Sequence, residues 1–202
     1  MGVIRIPRII SGTAKGLQIE TPKGVNTRPT TDRVKESLFN IINHLIDGSV
    51  VLDLFSGSGS LGIEALSRGA FEVVFCDKDS LTTQLIKKNI EHCKLTEKSE
   101  VLCCDYKQAI KKLAQKKINI VFLDPPYGTG ILQDSIKRII EENILTKDAI
   151  IVAEHSKGEV NILPDVHLDQ QLLCKSYGDF EIVRKEKYGD ICISFIKRRL
   201  ES

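Results

Sequence analysis

The chain has 202 residues, 42% of them hydrophobic, so it can bury one substantial core, and we expect one domain plus a short extension. It contains no run of about 18 apolar residues, and its first residues lack the apolar core of a signal peptide. Six cysteines without a CxxC pair and only four histidines argue against a zinc site. We therefore expect a cytoplasmic, reduced protein without a membrane span or a metal.

Positive charge is concentrated at the two ends of the chain, although the net charge is only +2. Residues 1–35 hold seven Lys or Arg against two acids, and residues 183–202 hold six against three. These ends carry +5 and +3, which leaves −6 for the remainder. Such asymmetry suggests a surface that binds a polyanion. Terminal segments that are simply solvated would explain it equally well.

The N-terminal part predicts a hairpin followed by a helix. Residues 8–12 and 17–20 suggest the two arms of a small β-hairpin, and Thr30 or Thr31 can cap the helix. Apolar residues of this helix recur at helical spacing and are expected to pack in the core: Val34, Leu38, Ile41, Ile42 and Leu45.

A first strand over residues 49–54 leads into a glycine loop, residues 57–62, with the sequence Gly-Ser-Gly-Ser-Leu-Gly. A helix follows, and a second strand over residues 71–76 ends at Asp77, whose carboxylate can hold ribose hydroxyls. This pattern also fits NAD enzymes. However, Asp53 would repel a pyrophosphate and attract an ammonium group. S-adenosylmethionine has adenine, ribose and an ammonium but no phosphate, so it fits better.

The middle of the chain continues the alternation of helix and strand. Ser80 can cap a helix that ends near Cys93, and a third strand covers residues 101–104. Asp105 can contact an adenine amine or cap the next helix, and the two interpretations are equally consistent with the sequence.

An apolar strand over residues 118–123 ends in Asp124-Pro125-Pro126-Tyr127. Open α/β sheets bind ligands at this end of their strands, and the two prolines favour a stiff turn. The Asp124 carboxylate and the Pro125 carbonyl can accept both hydrogens of one NH₂ group, and Tyr127 can stack on the ring that carries it. The same residues also make an ordinary turn at the end of a strand.

The remaining elements are a helix over residues 131–144, a strand over residues 149–154 and a C-terminal hairpin. Glu154 and His155 are expected at a solvated strand end. Residues 181–187 and 191–197 flank Tyr188-Gly189-Asp190 and predict antiparallel strands. The β/α alternation before them predicts a parallel sheet with helices on both faces.

The nearly full-length chain resembles a known family. Residues 53–62 together with residues 124–127 look like the class I amino-methyltransferases. Residues 8–12 and 28–40 make the chain similar to the bacterial 16S ribosomal RNA guanine-N2 methyltransferases of the RsmD type. The resemblance implies a Rossmann-like fold with a mixed seven-stranded sheet. It also implies a basic hairpin extension over residues 1–28 and a methyltransferase domain over residues 29–202.

The resemblance implies a role for each part of the site. The catalytic residues would be Asp124, Pro125, Pro126 and Tyr127. S-adenosylmethionine would be held by Thr30, Asp53, Phe55, Gly57, Gly59, Asp77, Lys78, Asp105 and Tyr106. Asp77 stands where the family usually has Glu. RNA would be held by Arg5, Arg8, Lys15, Arg28 and Arg33.

The expected substrate is 16S rRNA within the small ribosomal subunit or its assembly intermediate, and the expected state is a monomer. Three alternatives remain open at this point: a DNA adenine-N6 methyltransferase, a ribosome-assembly factor that binds the cofactor without turnover, and an NAD dehydrogenase. The DNA enzyme would normally need a separate target-recognition region, for which 202 residues leave little room.

Overall fold

The computed structural model describes residues 7–22, 32–159, 162–163 and 179–199. Arg5, Arg28 and Thr30 lie outside these ranges, as does the boundary expected between residues 28 and 29, so those expectations stay predictions. The chain divides into two compact units, Met1–Asp105 and Tyr106–Ser202. Among the described residues, no helix combines the length and apolar character needed to cross a membrane.

The first unit contains three α-helices, one short 3-10 helix (Thr96–Lys98) and three parallel strands in its described part. Helix α1 is Asp32–Ile46, β1 is Val50–Asp53, α2 is Ser60–Ser67, β2 is Glu72–Asp77, α3 is Ser80–His92 and β3 is Ser99–Cys103. The strands are ordered β3-β2-β1. Because Asp53 pairs with Phe75 and Asp77 pairs with Cys103, the carboxyl ends of all three strands lie at one edge.

The second unit contains two helices and four strands in its described part. Helix α4 is Tyr106–Lys112, β4 is Ile118–Leu123, α5 is Ile131–Glu141, β5 is Leu145–Ser156, β6 is Phe180–Tyr188 and β7 is Ile191–Arg198. Strands β4 and β5 are parallel, whereas β7 is antiparallel to both β5 and β6. The expected mixed seven-stranded sheet with a C-terminal hairpin is confirmed.

The N-terminal segment, residues 7–22, forms a reduced version of the expected hairpin. Its only described ladder pairing is a single antiparallel bridge between Arg8 and Gln18. The segment is nevertheless packed into the first unit, because Ile9, Ala14 and Ile19 are all buried.

Gly12 allows the N-terminal segment to lie directly against the end of α2. Its φ of +83° falls in the left-handed region, and a Cβ placed there would lie 1.6 Å from the carbonyl oxygen of Ser67. Only glycine fits such a close approach of two backbones.

Several local expectations from the sequence are wrong. The helix expected over residues 131–144 ends at Glu141, and the strand expected from residue 149 begins at Leu145. Helix α3 is capped by Asp79 rather than Ser80, because Asp79 has an extended backbone and its carboxylate accepts the Thr82 N–H at 2.7 Å. Glu154 and His155 are buried rather than solvated. Strand β5 continues to Ser156 and pairs with β7 along this stretch. The His155 ring lies 2.9 Å from the Ser194 hydroxyl, and Glu154 accepts the Tyr127 hydroxyl at 2.7 Å.

Candidate active site

The glycine loop leaves β1 in a conformation fixed by backbone geometry and by Ser56. Gly57 and Gly59 have φ values of +52° and +79°, which glycine adopts without strain. The hydroxyl of Ser56 donates to the Asp53 carbonyl at 2.6 Å and accepts the Cys76 N–H at 3.0 Å. The loop is therefore tied to both β1 and β2.

The third glycine of the loop serves helix packing. A Cβ on Gly62 would lie 2.2 Å from the ring of Phe75, so α2 can pack this closely on β2 only because no side chain is present.

Two carboxylates bind the amides of the glycine loop. Asp53 is 3% exposed, and one of its oxygens accepts the Gly62 N–H at 3.0 Å. Asp77 accepts the Gly57 N–H at 3.3 Å and the Asp79 N–H at 3.0 Å. Burial raises the pKa of Asp53 to about 7; the Gly62 hydrogen bond opposes this shift and the charge of Asp77 adds to it.

These carboxylates fit the nucleoside cofactor expected from the sequence better than a dinucleotide. A pyrophosphate would need the glycine amides, but Gly57 and Gly62 donate theirs to Asp77 and Asp53, and Gly59 donates its own to the Ser56 carbonyl. An acidic edge repels phosphate and suits a ribose and an ammonium group. The residues present therefore fit S-adenosylmethionine and argue against NAD.

Other residues expected at the cofactor site flank this loop or begin the second unit. In the first unit, Phe55 and Asp105 are half-buried and Lys78 is exposed. Tyr106 opens the second unit, where its hydroxyl donates to Asp134 at 2.6 Å. The roles of these four residues toward a cofactor stay predictions.

The Asp-Pro-Pro-Tyr motif directly follows β4, as the sequence predicts. Asp124 and Pro126 are exposed, Pro125 is buried, and Tyr127 is 43% exposed. The hydroxyl of Thr129 donates to the Pro126 carbonyl at 2.7 Å, which closes the turn after the motif. Asp124 thus stands at the strand end with its side chain accessible to solvent.

Two glutamates that were not among the predicted site residues hold this turn. Glu154 accepts the Tyr127 hydroxyl at 2.7 Å. Leu123, the last residue of β4, pairs with Ala153, so the chain leaves β4 beside Glu154 of the longer strand β5. Glu159 accepts the Gly128 N–H at 2.9 Å and the Ser156 N–H at 3.0 Å.

Burial and the Glu154 hydrogen bond raise the pKa of the Tyr127 phenol above its usual range, because both favour the protonated form that donates to Glu154. The sequence does show an acidic residue, Glu154, near the end of β5. Its partner Tyr127 lies 27 residues away in the chain, so local pattern could not connect the two residues.

The basic residues of the first unit divide into exposed and buried groups. Lys15 and Arg33 are exposed, and Arg8 is exposed but forms an ion pair with Asp32 at 3.0 Å. Lys35, which contributes to the positive charge of residues 1–35, is buried against Glu64 at 3.4 Å. It therefore adds nothing to a surface that binds a polyanion.

Comparison with known proteins identifies the family. A family model described as conserved hypothetical protein 95 matches residues 7–197. The Bacillus subtilis protein YlbH is 40% identical over 95% of this chain and 99% of its own length. Ribosomal RNA small subunit methyltransferase D of Haemophilus influenzae is 38% identical over 78% of this chain and 83% of its own length.

A solved structure has the same architecture. The Escherichia coli protein yhhF superposes with a TM-score of 0.78 and 31% identity, covering 98% of this chain and 100% of its own. The chain therefore belongs to the conserved hypothetical protein 95 family and is an S-adenosylmethionine-dependent methyltransferase of the RsmD type.

Proposed function

We propose that the protein methylates the exocyclic N2 amine of a guanine in 16S rRNA. The observation that carries this proposal is the solvent-accessible Asp124 at the end of β4, followed by a turn that Glu154 and Glu159 hold. Relatives named ribosomal RNA small subunit methyltransferase D, at 38% identity, support the substrate. The choice of guanine rests on the resemblance of residues 8–12 and 28–40, since the Asp-Pro-Pro-Tyr motif is shared with adenine and cytosine enzymes.

The proposed chemistry depends on orienting a poor nucleophile. The lone pair of a nucleobase amine is delocalised into the ring. The Asp124 carboxylate and the Pro125 carbonyl accept its two N–H hydrogens, which rotates or pyramidalises the nitrogen and aims its lone pair at the methyl donor. S-adenosylmethionine supplies an electrophilic methyl group on sulfur. Positioning rather than a covalent enzyme intermediate accelerates the transfer.

Proton removal makes small demands on the enzyme. Methylation first gives an ammonium whose acidic proton leaves readily, so Asp124 does not have to be a strong base. Tyr127 stacks on the target base, an interaction of about 1–3 kcal/mol per base. The base has to leave its own stack to reach this residue.

The proposed substrate is the small ribosomal subunit or an assembly intermediate. Exposed Lys15 and Arg33 would contact phosphates, as would Arg8 beside Asp32. We further propose that the protein acts in the cytoplasm, as a monomer and without a metal.

The test is to incubate the protein with S-adenosylmethionine carrying a deuterated methyl group and small subunits from a strain that lacks the gene. Nucleosides from the digested rRNA are then identified by mass spectrometry. We expect deuterated N2-methylguanosine at a single site. Labelled N6-methyladenosine, or label appearing on duplex DNA instead, would refute the guanine assignment. Binding of the cofactor without any labelled product would favour the non-catalytic assembly factor.

A further inference from the structure

Asn89 connects the N-terminal segment to the glycine loop. It lies in α3 and is only 2% exposed. Its side-chain NH₂ group donates to the carbonyl of Glu20 and to the carbonyl of Ser58, both at 2.9 Å. Its side-chain oxygen accepts the Glu20 N–H at 2.9 Å. One buried amide therefore joins the end of the segment to the middle of the loop.

The orientation of this amide is dictated by its neighbours. Two backbone carbonyls can only accept, and a backbone N–H can only donate, so the NH₂ group has to face Glu20 and Ser58. Both hydrogens and the oxygen of Asn89 are then used. An aspartate or an aliphatic residue of similar size would leave both carbonyls without this donor.

Lys35 forms a second bridge at the opposite end of the segment. Its ammonium group is 1% exposed and donates to the carbonyl of Arg8 at 2.6 Å and to the hydroxyl of Ser60 at 3.1 Å. The two ends of the segment are thus tied to two nearby positions of the glycine loop, Ser58 through Asn89 and Ser60 through Lys35. A surface extension whose only role was to hold RNA would not need either bridge.

We propose that Asn89 is a positioning residue that holds the glycine loop in its cofactor-binding conformation by fastening it to the N-terminal segment. The proposal rests on the assignment of the glycine loop to S-adenosylmethionine. A loop that is already ordered gives up less conformational freedom when the ligand binds, so the bridge raises cofactor affinity without touching the cofactor. By linkage, bound cofactor stabilises the docked segment to the same extent.

The test compares Asn89→Ala with Ser67→Ala. Ser67 is equally buried and anchors the middle of the same segment, donating to the Ser11 carbonyl and accepting the Ala14 N–H. It lies at the far end of α2 from the loop, and its removal leaves both bridges in place. Calorimetry with S-adenosylmethionine should give about tenfold weaker binding for Asn89→Ala and less than a twofold change for Ser67→Ala, although both variants lower Tm.

Two outcomes overturn the proposal: Asn89→Ala binding the cofactor as tightly as the unmodified protein, or both variants weakening it equally, which would indicate general loosening. Failure of the unmodified protein to bind S-adenosylmethionine would instead overturn the cofactor assignment itself.

Hydrogen exchange on the unmodified protein tests the same coupling without a variant. Saturating S-adenosylmethionine should slow exchange of the Glu20 amide about tenfold, because that amide donates to Asn89. An unchanged rate at Glu20, with slower exchange confined to the glycine loop, would contradict the coupling.

Discussion

At the scale of single residues, the buried carboxyl of Asp53 makes the stability of the fold depend on pH. Its pKa is raised from 3.8 to about 7, mainly by burial. Folding therefore favours the protonated form, so the stabilisation is complete below about pH 4 and is lost as the pH rises to about 7.

Asp53→Asn should remove this pH dependence, because a carboxamide oxygen can still accept the Gly62 N–H but carries no charge. Denaturant unfolding at pH 5 and pH 8 measures the effect. Relative to the unmodified protein, the variant should gain on the order of a few kcal/mol between pH 5 and pH 8. Parallel stability curves for the two proteins would show that Asp53 is ionised at little cost.

The hydrogen bond from Tyr127 to Glu154 fixes the ring that is proposed to stack on the target base. Tyr127→Phe keeps the ring but loses the hydrogen bond that tethers it to Glu154. We expect kcat/KM for the small subunit to fall about fivefold, and further for Tyr127→Ala, which also loses the stack. Tyr188→Phe, in the C-terminal hairpin, is the control. Equal activity of Tyr127→Phe and the unmodified protein would remove Glu154 from the site.

At the scale of elements, the buried carboxylate of Glu64 joins α2 to α1 through an ion pair and to the N-terminal segment through hydrogen bonds. Glu64 of α2 is fully buried and pairs with Lys35 of α1 at 3.4 Å and with Arg68, which follows α2, at 2.8 Å. It also accepts the N–H groups of Ile10 and Ser11 at 2.7 and 3.0 Å. Burial lowers the pKa of Lys35, whereas Glu64 raises it. The hydrogen bonds from the segment offset part of the cost of burying the carboxylate.

Replacing Lys35 should reveal the free-energy cost of burying the Glu64 carboxylate. We expect Lys35→Met to lower the free energy of unfolding by about 1–3 kcal/mol, because Glu64 keeps its ion pair with Arg68 at 2.8 Å but loses the buried ammonium group of Lys35. Lys88→Met is the matched control, since Lys88 pairs with Glu20 at the surface and such pairs contribute about 0–1 kcal/mol. Comparable losses for the two variants, measured by urea unfolding, would contradict the assigned role of the buried pair.

Local pattern was sufficient for most elements. The apolar run at residues 118–123 gave β4 its observed bounds, and α1 buries Val34, Leu38 and Ile42 as its spacing predicts. Ile41 and Leu45 are only half-buried, because the buried face includes Phe39 and Ile46 instead.

Features that depend on distant partners could not be predicted from local pattern. From the sequence alone, Lys35 is expected at the surface, and only the fold brings it next to Glu64. In the same way, Glu154 is expected at a solvated strand end, and only the fold brings it next to Tyr127. For the same reason the sequence indicated the Asp-Pro-Pro-Tyr motif but not the residues that hold its turn.

At the scale of the whole molecule, the uneven charge leads us to expect that RNA binding and cofactor binding depend on different residues. Lys15 and Arg33 are exposed and are not among the residues that form the glycine loop. Lys15→Glu combined with Arg33→Glu should raise KM for the small subunit about tenfold and flatten its salt dependence, with the Kd for S-adenosylmethionine unchanged. Lys111→Glu combined with Lys117→Glu carries the same charge change elsewhere and is the control. A loss of cofactor binding in the first variant would mean that the two roles are not separable.

We propose that Asp124 orients the target amine and has no part in holding the cofactor. The most direct measurement is single-turnover methyl transfer to small subunits by Asp124→Ala, with calorimetry of S-adenosylmethionine binding on the same preparation and Asp148→Ala as an exposed-carboxylate control. We predict that transfer falls at least about a thousandfold while the cofactor Kd stays within twofold. Transfer at a rate close to that of the unmodified protein would contradict the account.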